Sequence, residues 1–287
     1  MKIIRSGSNR EGLMSLLKER SPSVAVIGAG PAGCSAAFAL KSAGIDAFIF
    51  ERGRPGKDKP CGDAFVPLAV ELLSEFGIDS EGIASLGAFP FQHIDLYESS
   101  SLLWQAQSGS KNNGWVVKRA LLDQKLRDMV APYAVIYYET LVTDLKEEPD
   151  GTFRLSLRLK DGGINEFYCD AVILASGSSN LYSQRWGVDG QPKLVAAITT
   201  YAAINEPEAP IIQFKEECRP GYGWVFPLAQ GQVNIGVCAM SPNNIKRLRQ
   251  LASAYVAEWG VSVPAVWRGG GANYGAAGDV SGTMLPE

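Results

Sequence analysis

Ser23-Val24-Ala25-Val26-Ile27-Gly28-Ala29-Gly30-Pro31-Ala32-Gly33-Cys34 is the stretch whose reading decides the fold. Val24, Val26 and Ile27 form a short apolar run of the kind carried by a strand buried on both faces. Gly28, Gly30 and Gly33 follow as G-x-G-x-x-G and open a helix rich in small residues. A second apolar strand, Ala47 to Phe50, ends at Glu51. Gly28 permits the tight strand-to-helix turn, Gly30 lets a pyrophosphate approach the backbone, and Gly33 lets helix and strand pack closely. The helix N-terminus offers free N–H groups and a positive dipole end to phosphates. Glu51 falls about 20 residues on, where an acid accepts hydrogen bonds from an adenosine ribose. Its charge repels a 2′-phosphate, so the stretch reads as a dinucleotide site suited to FAD or NAD better than NADP.

Working outward, the 287 residues are 46% hydrophobic, enough for one large domain or two intimate ones. A net charge of −3 leaves no basic excess to neutralise phosphates, so a nucleic-acid partner is not expected. No apolar run reaches the roughly 18 residues that a spanning helix needs. The first 20 residues hold five basic and two acidic side chains without an apolar core, so they do not read as a secretory signal. Leu13, Leu16 and Leu17 fit one amphipathic turn in an N-terminal extension, residues 1–22. Five cysteines, odd in number and without C-x-x-C, fit a reducing cytoplasm and no zinc site. A single histidine, His93, leaves no basis for a Ser-His-Asp hydrolase or a His-rich metal centre.

Along the chain, a polar loop from Gly53 to Pro60 leads to Lys59-Pro60-Cys61-Gly62-Asp63. Residues 68–76 read as a helix with Leu68, Leu72, Leu73 and Phe76 on one face. Phe89 to Gln107 reads as two strands and Lys118 to Val130 as a helix. Residues 134–138, 140–146, 152–160 and 164–169 read as four strands broken by Pro149-Asp150-Gly151 and Asp161-Gly162-Gly163. Asp170 to Ala175 is a further buried strand that runs into Ser176-Gly177. Residues 194–240 read as a mostly antiparallel sheet. Ser241 suits an N-cap and Pro242 a first helical position, before a helix with Ile245, Leu248, Ala252, Tyr255, Val256 and Trp259 on one face. The expected architecture is α/β with α+β character: a discontinuous Rossmann-like domain of residues 23–90, 110–182 and 270–287, and an antiparallel-sheet substrate domain of 91–109 and 183–269.

These motifs resemble the FAD-dependent geranylgeranyl reductase family, within the p-hydroxybenzoate hydroxylase-like flavoproteins. Gly28-Ala29-Gly30-Pro31-Ala32-Gly33 with Glu51-Arg52 is the nucleotide block. Lys59-Pro60-Cys61-Gly62 resembles the K-x-C-G segment near the flavin ring. Tyr222-Gly223-Trp224-Val225-Phe226-Pro227 fits the Y-x-W-x-F-P lipid-pocket motif and is the most discriminating of the four. Gly278-Asp279-Val280-Ser281-Gly282 resembles the segment whose Asp binds the ribityl chain. Arg119 stands where the group places an Arg that reaches FAD. Two departures weigh on the reading. Ala175-Ser176-Gly177 lacks the acid of the usual Ala-Asp-Gly, which puts nicotinamide docking at Gly177 in doubt. The sequence ends at Glu287, one residue past the last motif's Pro286, without the helix and lid the family places next; a longer protein and a naturally short one with an open flavin site both remain open.

The resemblance implies FAD as cofactor, with NAD(P)H or another external electron donor, and hydride delivery to an isoprenoid double bond. It implies an apolar slot lined by Tyr222, Trp224, Phe226 and Pro227, and Cys61 as the catalytic proton donor or a polar contact at the flavin. The expected partner is a prenyl-type small molecule, in a cytoplasmic protein with peripheral membrane contact. Two other classes stay open: a monooxygenase or halogenase of aromatic substrates, and a non-catalytic flavin- or lipid-binding remnant. A halogenase would carry W-x-W-x-I-P, which the Tyr222 and Phe226 positions do not match. The oligomeric state is not legible in the sequence.

Overall fold

The computed structural model describes residues 2–4, 22–107, 109–177, 193–205, 207–240, 245–262 and 266–274. The chain divides into two compact units, residues 1–57 with 123–179, and residues 58–122 with 180–287.

The first unit is built on a five-stranded sheet. Its order is Lys2–Ile4, Ala171–Leu174, Ser23–Ile27, Asp46–Phe50, Ala134–Tyr137. The last four run parallel, and Lys2–Ile4 pairs antiparallel with Ala171–Leu174 at the edge. Ser23–Ile27 is the middle strand, and Val24, Ala25, Val26 and Ile27 are all buried, as a strand covered on both faces requires. The chain leaves this strand toward Asp46–Phe50 on one side, while Ala171–Leu174 lies on the other. At such a reversal of strand order, α/β sheets take their ligands at the strand's carboxyl end. Helix Pro31–Ser42 starts there and buries Gly33, Cys34, Ala36 and Ala37. A separate antiparallel sheet, Leu141–Glu147, Phe153–Arg158 and Ile164–Cys169, completes the unit.

The second unit holds a seven-stranded sheet. Its order is Arg268–Tyr274, Lys193–Ala203, Gln232–Met240, Gly221–Leu228, Ile211–Phe214, His93–Glu98, Ser101–Gln107. Every pairing is antiparallel except that of Ile211–Phe214 with His93–Glu98. Period-two alternation sends the side chains of Gly221–Leu228 to two different cores. Val225 joins Val233, Ile235 and Val237 against Leu248, Ala252, Tyr255 and Val256 of helix Ile245–Glu258. Trp224, Phe226 and Leu228 face the other way, against Phe91, Val116 and Cys238. A small sheet of Ala64–Phe65, Gly114–Val116 and Phe89–Phe91 covers that second core.

Several expectations are corrected. Phe89 to Gln107 makes three strands, because Phe89–Phe91 pairs with Gly114–Val116 while His93–Glu98 joins the large sheet. Residues 2–4 of the supposed extension are a sheet strand. Helix Pro67–Glu75 buries Pro67 and Val70, whereas Leu68 and Leu72 are 64% and 49% exposed. By packing, residues 58–90 and 110–122 group with the antiparallel sheet. The Leu13, Leu16 and Leu17 turn and the Ser241-Pro242 cap lie outside the described residues. Among the described residues, no helix is long and apolar enough to cross a membrane.

Candidate functional site

The dinucleotide motif builds a cradle within the first unit. Gly28 has φ +108°, and a Cβ there would stand 2.5 Å from the Ala175 carbonyl oxygen. The two parallel strand ends therefore meet backbone to backbone. A Cβ on Gly33 would lie 1.9 Å from the Gly28 oxygen, so helix and turn touch without a side chain between them. Gly30 is different: a Cβ there would meet nothing within 4 Å. Open space stands before its backbone. Gly30 is also the N-cap of helix Pro31–Ser42, with no capping side chain and no acid in the first turn. Pro31 supplies the first helical position, where a missing N–H costs nothing. The uncapped turn and its open approach fit a pyrophosphate.

Glu51 closes the cradle. Its Oε2 accepts from the Ala29 N–H at 2.9 Å and its Oε1 from the Gly53 N–H at 2.6 Å. The carboxylate thus ties strand end, glycine turn and following loop together, and each oxygen keeps further acceptor capacity for ribose hydroxyls. Ala29 is buried, while Ala32 and Arg52 are exposed. Gly177, at φ +70°, lies in the turn after strand Ala171–Leu174, just past Ala175 and Ser176, which abut Gly28. Gly278 and Asp279 lie outside the described residues.

The second unit brings together motifs far apart in sequence. Tyr222, Trp224 and Phe226 form a ladder of rings, with centroids 6.2 Å apart for the first pair and 6.4 Å for the second. Tyr222 is 37% exposed, and Trp224 and Phe226 are 4% and 8% exposed. Pro227 continues the buried strand. The Cys61-Gly62 turn lies on this ladder: a Cβ on Gly62 would meet Phe226 Cε2 at 2.8 Å and Trp224 Nε1 at 3.5 Å. Arg119 joins the same cluster, its Nη1 donating to Cys61 Sγ at 3.7 Å. Cys61 is half-buried, whereas Cys34, Cys169, Cys218 and Cys238 are buried.

Beneath the turn sits a buried polar knot that the motifs did not reveal. Asn234, wholly buried, donates from Nδ2 to the Cys61 carbonyl and to Asp63 Oδ2, both at 2.7 Å. Its Oδ1 accepts from Trp224 Nε1 at 2.9 Å and from the Thr199 hydroxyl. Asp63, also wholly buried, accepts from the Tyr201 hydroxyl at 2.7 Å and from the Arg119 backbone N–H at 3.1 Å. Burial pushes the Asp63 carboxyl above the usual range, and its hydrogen bonds from Asn234, Tyr201 and Arg119 pull it back only in part. Burial and then the Asp63 charge push the Tyr201 hydroxyl up. The sequence did hold a signal: Asn234 is a lone polar residue in the apolar run Val233-Asn234-Ile235, and Asp63 directly follows Cys61-Gly62.

The cradle, the acid and the parallel sheet define a flavin-binding α/β protein. A family described as an FAD binding domain matches residues 21–257, and the chain belongs to that family. FAD is accordingly its cofactor. The chain is 31% identical over 280 residues to a menaquinone reductase of Mycolicibacterium smegmatis, covering 89% of this chain and 67% of that protein. It is 28% identical over 226 residues to digeranylgeranylglycerophospholipid reductase 1 of Methanopyrus kandleri, covering 75% and 56%. Among solved structures, a geranylgeranyl bacteriochlorophyll reductase-like protein from Thermoplasma acidophilum shares the fold with a TM-score of 0.74 at 20% identity, covering 88% and 66%. A flavin-dependent halogenase shares it with a TM-score of 0.70 at 22% identity, covering 84% and 45%. The chain spans two thirds or less of the length of most of the curated relatives it matches.

Proposed function

We propose that the protein is an FAD-dependent oxidoreductase that saturates a double bond in an isoprenoid chain, carried by a quinone or by a geranylgeranyl lipid. One observation carries this reading. The Cys61-Gly62 turn rests directly on the Tyr222–Trp224–Phe226 ladder, with no room for a side chain at residue 62. The residue after the Cys61 thiol is thereby seated against an apolar aromatic face, from a segment about 160 residues away. The names of the relatives, which are reductases of menaquinone and of geranylgeranyl compounds, support the same substrate class.

Reduced FAD supplies the hydride. In this reading Gly28, Ala29, Gly30, Pro31, Ala32 and Gly33 receive the pyrophosphate, and Glu51, with Arg52 beside it, holds the adenosine ribose. Gly62, Arg119, Gly177, Gly278 and Asp279 belong to the same cofactor set. An alkene has no carbonyl to polarise, so few polar groups are needed. Cys61 holds the proton for the second carbon, and the Arg119 guanidinium orients its sulfur. Tyr222, Trp224, Phe226 and Pro227 exclude water and fix the chain in a near-attack geometry. NAD(P)H or another external donor would be the source of the cofactor's electrons. Substrates of this class reside in membranes, so a cytoplasmic protein in peripheral contact with a bilayer belongs to the proposal.

The test is anaerobic incubation of the FAD-loaded protein with dithionite and either a menaquinone or a geranylgeranyl lipid. The expected product, after air reoxidation of any quinol that dithionite makes from the ring, carries two more hydrogens in its isoprenoid chain. Hydroxylated or halogenated aromatic product under oxygen, with neither isoprenoid reduced, would overturn the reading.

A further inference from the structure

We propose that Asp63 is a positioning residue: through Asn234 and Tyr201 it locks the Cys61-Gly62 turn onto the aromatic strand and so fixes the thiol and the Trp224 indole relative to each other. The inference rests on the proposed reductase reading only for its activity readout.

The bonding pattern leaves one arrangement. An indole N–H can only donate, so the Asn234 atom facing Trp224 must be the oxygen. A backbone carbonyl can only accept, so the Asn234 atom facing Cys61 must be the nitrogen. The amide thereby has both acceptor directions and both donor directions taken, by Trp224, Thr199, Cys61 and Asp63. Asp63 takes the second donor direction of that amide and ties it to the neighbouring groups. Its Oδ2 takes one Asn234 proton and the Tyr201 proton, and its Oδ1 takes the Arg119 N–H. Its own carbonyl accepts from the Val117 N–H at 2.9 Å, which pins the turn to the small sheet. Tyr201 is held in turn between two cations, Lys118 Nζ at 4.9 Å and the Arg268 guanidinium at 4.7 Å from its ring centre.

Asp63 is costly to keep. It stands at φ +71°, a left-handed conformation that a non-glycine residue adopts at a penalty. It is a carboxylate with no solvent exposure. Burial also raises its pKa, so folding favours the protonated acid. Stability from that shift is full below the unfolded value of 3.8 and is lost as pH rises through the higher folded value. The groups that set its charge are Tyr201, Arg268, the Arg119 amide and Asn234, with Asp58 paired to Arg268 behind them. A neutral residue of the same size tests whether the buried acid is tied to the position of the turn.

That supplies the discriminating measurement. Asp63→Asn keeps size and tolerates positive φ, but it sets an amide against three donors. Tyr201→Phe removes one donor only. Cys61 is the half-buried thiol in a set otherwise buried, so its alkylation rate reports the turn directly, with or without turnover. Both variants should keep FAD and melt within a few degrees of wild type. Cys61 alkylation should change by at least about threefold in Asp63→Asn, and less in Tyr201→Phe. Isoprenoid reduction should fall about tenfold or more in kcat, with a smaller change in KM. Unchanged Cys61 labelling in folded Asp63→Asn overturns the proposal. So does an Asp63→Asn that cannot fold beside a Tyr201→Phe indistinguishable from wild type, since Asp63 is then structural. If wild type reduces no isoprenoid, the functional reading fails, and the labelling still decides the positioning role.

Discussion

The ring of Phe226 occupies the space that a side chain at residue 62 would need: a Cβ on Gly62 would lie 2.8 Å from Phe226 Cε2 and 3.2 Å from Cδ2. Phe226 cannot retreat, because it is packed among Phe91, Val116, Leu228 and Cys238. The glycine is thus what lets the Cys61 turn reach the aromatic strand.

Gly62→Ala should therefore push the turn off the ladder. The overpacking should lower stability by about 1–3 kcal/mol in urea unfolding. FAD should still bind, and isoprenoid reduction should fall. A variant with wild-type unfolding and turnover would mean that the turn and the ladder are not in the contact described.

The glycines of the cradle separate binding from folding. Gly30→Val enters open space, so the protein should fold with a near-normal melting temperature and lose flavin absorbance. Gly33→Val collides with the Gly28 backbone, 1.9 Å from where its Cβ begins, so the first unit should fail to fold. Circular dichroism and bound-flavin absorbance together distinguish the two. Full flavin occupancy in Gly30→Val would place the pyrophosphate elsewhere.

The cradle was legible in the sequence because its contacts are local: Gly33 touches Gly28, five positions earlier. The Asp63–Asn234 bond joins residues 171 apart, and no local pattern encodes it. It exists because Asn234 lies opposite Phe226 in the strand pairing, directly under the Cys61 turn. Helix Pro67–Glu75 shows the same limit. Its period was readable, but which side faces the core is set by its neighbours, which cover Pro67 and Val70 and leave Leu68 outside. In Phe89 to Gln107 the strand character was plain, and the division of its hydrogen bonds between two sheets was not.

The buried thiols predict an alkaline weakness. Burial pushes Cys34 and Cys169 from 9.0 to about 12 in the folded chain. Their contribution is full below 9.0 and is lost as pH rises toward the folded value, because the unfolded chain releases these protons first. Unfolding free energy should drop between about pH 9 and about pH 12, and drop less in a Cys34→Ala, Cys169→Ala variant. An equal drop in both proteins would show that the folded thiols titrate normally.

The last prediction separates slot from core along one strand. Tyr222 and Phe226 lie on the same face two rungs apart, with Trp224 between them. Tyr222 is 37% exposed and rests edge-on against Phe214 and Trp224, so its truncation leaves little cavity. Tyr222→Ala gives up these edge contacts and a hydrogen bond with buried Cys238, and should cost about 1–1.5 kcal/mol. Phe226→Ala removes a buried ring and should cost about 3–5 kcal/mol. If the ladder is the wall of an isoprenoid slot, function should not follow that order. Tyr222→Ala, the more stable variant, should still raise KM for the isoprenoid substrate, because the accessible rung meets the chain first. Its FAD affinity should be unchanged, which steady-state kinetics and flavin titration on the same sample will establish. Wild-type KM and kcat in Tyr222→Ala, with activity lost only where stability is lost, would make the ladder plain core and move the substrate to another surface.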